Sequence, residues 1–358
     1  MGESSVTNSF FKRRWKLLLN IITIAALVFL IFATRHQLLE TIKNFSKVNL
    51  WILLLVIPVE MLNYHAQARM YQRLLGLVGG SLSYRKIIQL SLELNFVNHV
   101  FPSGGVSGIS YFSLRLRREG FSLAKSTLAH FMKLALIFLS FEVLLILGMF
   151  ILAARGKASN MTILIGSSLS TLLIVGTATG LFIVSSRQRI DAFFTALTLW
   201  LNKLIQVLRP KHPETINIAR AKESFGEFHE DYKIMRSQLT QLKAPFWWAM
   251  VANMTEIAVV LIVYIAFRQY VNVGAIILAY AVANFAGLVS VLPGGVGIYE
   301  ALMTAVLATA GVPASISLPA TVMYRVVNTL LQIPPGYYFY HRSLQERQEH
   351  DLGQPNAG

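Results

Sequence analysis

Cysteine is absent from the 358 residues, which excludes disulfides, thiol nucleophiles and cysteine metal clusters. Charge is scarce as well: 14% of residues are Asp, Glu, Lys or Arg, against about 25% in soluble domains. Aspartate is the rarest acid, with only Asp191, Asp231 and Asp351, never two residues apart. Metal-dependent sugar-nucleotide chemistry generally needs clustered carboxylates, so this scatter argues against it. Glu227, Glu230 and Asp231 do cluster, but on what reads as a solvated helix face.

What the chain has instead is apolar surface. Hydrophobic residues make up 54% and the mean hydropathy is +0.54. A helix needs roughly 20 mostly apolar residues to cross the hydrocarbon layer. Blocks of this kind run at about 17–34, 50–66, 126–154, 160–184, 246–267 and 314–340. The pattern predicts an all-α integral membrane protein with about six transmembrane helices. The first block follows Lys12-Arg13-Arg14 in the manner of a signal peptide. Its length exceeds a usual signal core and Ala33-Thr34-Arg35 is no cleavage site, so an uncleaved first helix is expected.

The net charge of +15 takes its meaning from its location. Assigning alternate loops to opposite sides puts 24 of the 32 basic residues on one side and 6 on the other, with Lys133 and Arg325 inside apolar segments. The positive-inside rule then places both termini in the cytoplasm of a cell-membrane protein. Excess charge is topology and attraction to lipid headgroups, and no nucleic-acid partner is expected.

Two stretches resist assignment as simple spans. Residues 87–114 have basic flanks on both sides, and Asn98-His99-Val100-Phe101-Pro102-Ser103-Gly104-Gly105 breaks the helix in the middle. Residues 274–311 repeat the pattern, with Asn284 ahead of Pro293-Gly294-Gly295-Val296-Gly297-Ile298-Tyr299-Glu300. Each reads as a re-entrant hairpin, the first entering from inside and the second from outside. Broken backbone at that depth is tolerated only when buried in protein or lining a wet cavity.

The two stretches align as copies. Asn95, Pro102, Gly104-Gly105-Val106, Tyr111, Gly120 and Lys133 match Asn284, Pro293, Gly294-Gly295-Val296, Tyr299, Gly311 and Arg325, Tyr111 only loosely. Opposite orientation makes this an inverted repeat, a pointer to a transporter site near the midplane. The single membrane domain 1–358 thus divides into a first half at 50–155 and a second at 246–342. A basic segment at 187–245 links them. There Ala221, Phe225, Phe228, Tyr232, Met235, Leu239 and Leu242 form one apolar stripe. It either packs on the cytoplasmic face of the bundle or lies on anionic lipid.

Polar residues inside the apolar blocks supply the candidate site. Ser126, His130, Lys133 and Ser140 share one helix face; Thr321, Arg325, Asn328 and Gln332 share another. A charge at depth costs about 2.5 to over 10 kcal/mol, so it is paired or faces a polar cavity. A structural ion pair of Arg325 with Glu300 or Glu256 is one reading, and snorkelling of Lys133 to the surface another. In the functional reading, half-helices starting after Gly104-Gly105 and Gly294-Gly295 present unpaired N–H groups that favour phosphate. The two cations then complete an anion cleft. The expected binding set is Lys133, Arg325, Gly104, Gly105, Gly294, Gly295, Glu300, Tyr299, Asn328, His130 and Asn98. No catalytic residue, metal or cofactor is expected. Glu60, Glu93, Glu142, Glu256 and Glu300 are left to relay protons or pair a cation. For Asn95, Asn98, His99 and Asn284 the plain reading is that they satisfy broken backbone, with His99 a hydrogen-bond partner in preference to a metal ligand.

At Asn98–Gly105 and Leu292–Glu300 the chain resembles the transmembrane region of lysylphosphatidylglycerol synthases and their stand-alone flippase-like relatives. The resemblance spans roughly 15–342. It implies transbilayer movement of a lipid substrate: an aminoacylated phospholipid, or a polyprenyl-linked or related lipid. Full-length synthases add a cytosolic aminoacyltransferase domain. Only a short tail follows Tyr340 here, so no enzymatic half is expected and a separate lipid-modifying enzyme becomes the anticipated partner. Self-association stays open, as do an integral-membrane glycosyltransferase and a scaffold in a lipid pathway.

Overall fold

The structure is a computed structural model and describes residues 48–101, 106–154, 159–193, 237–289 and 297–353, together with 32, 35, 39, 156, 195, 196, 199, 232 and 233. Among the described residues all regular structure is helical. Helix α1 (Leu50–Leu53) starts at Asn49, whose side chain accepts from the Trp51 and Ile52 amides. A turn leads into α2 (Val56–Leu77). Then come α3 (Tyr84–Val100), α4 (Val106–Arg117), α5 (Leu123–Ala154) and α6 (Asn160–Val184). After a 3₁₀ turn at Leu239–Leu242 follow α7 (Lys243–Ala266), α8 (Val273–Val289), α9 (Ile298–Thr309) and α10 (Ala314–Gly353).

Among the described residues four helical stretches are long and apolar enough to cross a membrane: Leu50–Leu77, Leu123–Ala154, Asn160–Val184 and Leu239–Ala266. They correspond to four of the six expected spans. The block at 17–34 lies almost wholly outside the described residues. The block at 314–340 is helical throughout as part of α10, yet it is not apolar enough to join the four. Arg325, Asn328 and Gln332 interrupt its apolar run, and all three line a cavity described below.

The broken segments resolve into helix pairs. Helices α3 and α4 flank residues 102–105, and α8 and α9 flank residues 290–296. The intervening glycines Gly104, Gly105, Gly294 and Gly295 fall outside the described residues. The members of each pair pack together, and each pair also reaches across to the other half: α3 packs on α10, and α8 on α5. Between the halves α2 and α7 make the most extensive helix contact.

Lipid tails are as apolar as leucine, so helix association in a bilayer relies on close packing and small residues. Both cross-contacts obey this. On α8, a Cβ added at Gly274 would lie 2.2 Å from the Gly148 carbonyl oxygen of α5. On α10, a Cβ at Gly336 would lie 2.6 Å from the Leu92 carbonyl oxygen of α3. One core cluster, around Val263, Tyr264, Ile277, Met303 and Met323, joins α5 with the second half. Another, around Tyr71, Leu74, Leu90, Phe112 and Leu128, holds the first half.

Of the predicted apolar stripe, Ala221, Phe225, Phe228 and Met235 lie outside the described residues. Tyr232 is buried and Leu242 packs on the first-half core, as bundle packing requires, whereas Leu239 is exposed.

Candidate functional site

A cavity of about 340 Å³ opens among α2, α3, α7, α8, α9 and α10. Gln67 comes from α2, Asn95, Asn98 and His99 from the end of α3, and Glu256 from α7. Tyr280 and Asn284 come from α8 and Tyr299 from the start of α9. Helix α10 adds Tyr324, Arg325, Asn328, Thr329 and Gln332. Every one of these side chains carries a polar atom, which is costly in hydrocarbon unless partners or a ligand satisfy it.

Arg325 is the charged centre. Its guanidinium pairs with Glu300 Oε1 and lies 4.9 Å from the Tyr299 ring centre. Glu300 in turn accepts from the Gly297 amide at 2.6 Å through Oε2, closing the first turn of α9. The carboxylate therefore sits where a helix N-terminus favours negative charge. The ion pair foreseen for Arg325 with Glu300 is present. Glu256, the alternative partner, instead accepts from the Tyr324 hydroxyl at 3.4 Å.

A polar ladder runs down α10 at four-residue steps. Gln332 donates to Asn328 at 2.6 Å, Asn328 donates to the Tyr324 hydroxyl at 3.3 Å, and Tyr324 reaches Glu256. On the opposite wall the His99 ring bonds the Asn95 carbonyl at 2.8 Å, and the Asn284 amide bonds the Tyr280 carbonyl at 3.0 Å. Both contacts return to a carbonyl four residues back within the same helix and not to the broken backbone, and all four residues also face the cavity.

Of the predicted binding set, the structure brings together Arg325, Asn328, Tyr299 and Asn98 on the cavity wall, with Glu300 directly behind Arg325. Lys133 stands one residue back. Its ammonium donates to Gln67 at 3.4 Å and lies 4.7 Å from the Tyr71 ring centre. Gln67 continues the chain, donating to Asn63 at 2.6 Å, and Asn63 donates to Thr255 at 2.9 Å. His130 is not on the wall. It is buried, bonds the Tyr71 hydroxyl at 3.0 Å and packs on Phe112. Ser140 on the same predicted face accepts from Asn253 of α7 at 2.7 Å. That face of α5 is spent on joining helices.

Gln67, Tyr280, Tyr324 and Thr329 belong to the wall without having been singled out from the sequence. For Gln67 a signal existed: Glu60, Asn63 and Gln67 form a polar stripe at helical spacing inside an apolar block. The tyrosines gave none, because an aromatic in a membrane helix reads equally well as packing.

Comparison with known proteins gives one family: the model described as lysylphosphatidylglycerol synthase TM region matches residues 17–336. A search of curated proteins finds no match.

Proposed function

The chain belongs to the lysylphosphatidylglycerol synthase TM-region family and is a multi-pass membrane protein, and from that premise we propose that it moves a phosphate-bearing lipid across the membrane, sheltering the headgroup in the cavity around Arg325. The observation that carries this reading is the wall itself: thirteen polar side chains around one cavity, in a molecule whose other helix faces are largely apolar. A lipid headgroup cannot cross hydrocarbon unaided. A polar cleft can hold it while the tails stay in lipid. Arginine suits the purpose because its fork matches phosphate oxygens. No chemical step is assigned to this chain; an aminoacylated or polyprenyl-linked substrate would be made by another enzyme.

Support for the architecture comes from length. Helices α3 and α8 have 17 residues and α4 and α9 have 12. At 1.5 Å per residue they reach about 25 and 18 Å, short of the roughly 30 Å of hydrocarbon. In our reading each pair enters and returns on one face, the first pair on the side of Arg85, Lys86, Arg115 and Arg117 and the second on the opposite side. Matching helix ends support a repeat. Gly79 after α2 and Arg268 after α7 both have positive φ, as do Gly120 after α4 and Gly311 after α9, and each pair is about 190 residues apart. At all four ends the following amide bonds a carbonyl five residues back, the pattern that closes a helix on a left-handed residue.

The test is translocation of headgroup-labelled phosphatidylglycerol in proteoliposomes, with aminoacylated and polyprenyl-phosphate lipids as parallel arms. The double variant Arg325→Gln, Glu300→Gln removes the charges together and so avoids stranding one. Loss of a charge-assisted contact worth about 1.5–3 kcal/mol should slow transport at least about tenfold. An unchanged rate in every arm would refute the site.

A further inference from the structure

Two carboxyls beside the cavity take no part in holding Arg325. Glu60 on α2 is 2% exposed, and neither of its oxygens has a hydrogen-bond partner. Gln332 approaches it, but the Gln332 amide nitrogen donates to Asn328. Across the α2–α7 contact Glu60 interacts electrostatically with Glu256, which faces the cavity and holds the Tyr324 hydroxyl. One acid is thus sealed in protein and the other meets the space where a headgroup would sit.

The charges around this pair do not neutralise it. Arg325 on α10 is engaged by Glu300 of α9. Lys133 on α5 is held by Gln67 and the Tyr71 ring, and its electrostatic neighbour is His130. His99 on α3 interacts with Arg325. The other groups facing the two acids are hydroxyls: Tyr64 of α2, Tyr280 of α8, Tyr299 of α9 and Tyr324 of α10. Two like charges in a site of low dielectric repel strongly, and each also loses its hydration. One proton bound by the pair removes the repulsion and leaves a single charge to be desolvated.

We infer that Glu60 and Glu256 share one proton and form the proton-binding site of the transport cycle. This rests on the transport reading and supplies its energy coupling. An anionic headgroup beside Arg325 adds negative charge next to Glu256, so headgroup and proton bind cooperatively. By linkage the coupling is reciprocal: protonating the pair strengthens headgroup binding by the factor with which the headgroup strengthens proton binding. Glu256, open to the cavity, exchanges the proton with water; Glu60 behind it keeps the second carboxyl close.

Two measurements on the full chain separate this proposal from the one it rests on. Infrared spectra of the protein in lipid nanodiscs, without added substrate, follow protonated carboxyls as pH is swept through neutrality. A titrating carboxyl band is expected in the wild type and in Glu142→Gln. It should be absent from Glu60→Gln and Glu256→Gln, and its persistence in either would overturn the shared proton. In proteoliposomes, an imposed pH gradient should change the rate of labelled phosphatidylglycerol translocation and shift its final distribution between the leaflets up to roughly tenfold per pH unit for one coupled proton. Glu60→Gln should move lipid at a rate indifferent to the gradient, and Glu60→Asp should recover part of the response. A wild type insensitive to the gradient would overturn the coupling. A wild type that moves no lipid under any gradient would sink the transport reading, while the infrared result would still decide whether the pair holds a proton.

Discussion

The two halves carry similar parts and use them differently. In each a cation on the helix after the short helix pair lies over a tyrosine ring: Lys133 at 4.7 Å from Tyr71, Arg325 at 4.9 Å from Tyr299. The first ends on an amide behind the cavity wall; the second lines the cavity and pairs with a carboxylate. The first half gives the wall Gln67, Asn95, Asn98 and His99, and the second half gives the other nine residues. Ion pairs in the first half lie elsewhere, where Arg115 meets Glu93 at 3.5 Å and Glu119 at 3.3 Å, and Lys86 meets Glu119 at 2.7 Å. One half is braced by its charges, and the other presents them.

That contrast can be broken by mutation. The largest effect is expected for Arg325→Ala, which strands Glu300 in a buried site. Removing one partner of such a pair costs about 3–5 kcal/mol, visible as a collapse of thermal stability in detergent. Adding Glu300→Ala should restore most of it. Lys133→Ala, with no carboxylate to strand, should cost about 1–2 kcal/mol. Equal losses at the two cations would erase the distinction.

The cross-contacts come next. Gly274→Ala drives a Cβ against a backbone oxygen at 2.2 Å, closer than the 2.6 Å at Gly336. Overpacking of this kind costs about 1–3 kcal/mol, and Gly274→Ala should melt lower than Gly336→Ala. The smallest effects concern the matched helix ends. Arg268 holds φ 58 where the first half has Gly79 at φ 77. Arg268→Gly should gain and Gly79→Ala lose about 0.5–1 kcal/mol, read as melting shifts of opposite sign.

Much of this was readable from residues alone. Apolar blocks announced the four apolar spans because hydrocarbon demands length and little else. Breaks at Pro102 and Pro293 marked where helices pair, since a proline followed by paired glycines disfavours continuing one, whereas Pro319, Pro334 and Pro335 without such glycine pairs stay inside α10. Arg325 was legible as a residue facing a polar cavity because charge at depth requires a reason. Three things resisted. The fate of His130 and Lys133 depended on which way α5 turns against α2, and spacing along one helix does not report its neighbour. Tyr280 and Tyr324 look like packing until α8 and α10 converge on the cavity. The closeness of Glu60 to Glu256 arises from a contact between helices almost 200 positions apart, which no local pattern encodes.

Glu300 has one further bearing on Arg325. Its two oxygens are engaged separately, one by the guanidinium and one by the Gly297 amide at the start of α9. The helix end therefore anchors the acid by itself. An anion that drew Arg325 away would uncover the Glu300 charge at a fixed position, so the guanidinium has one defined place to return to.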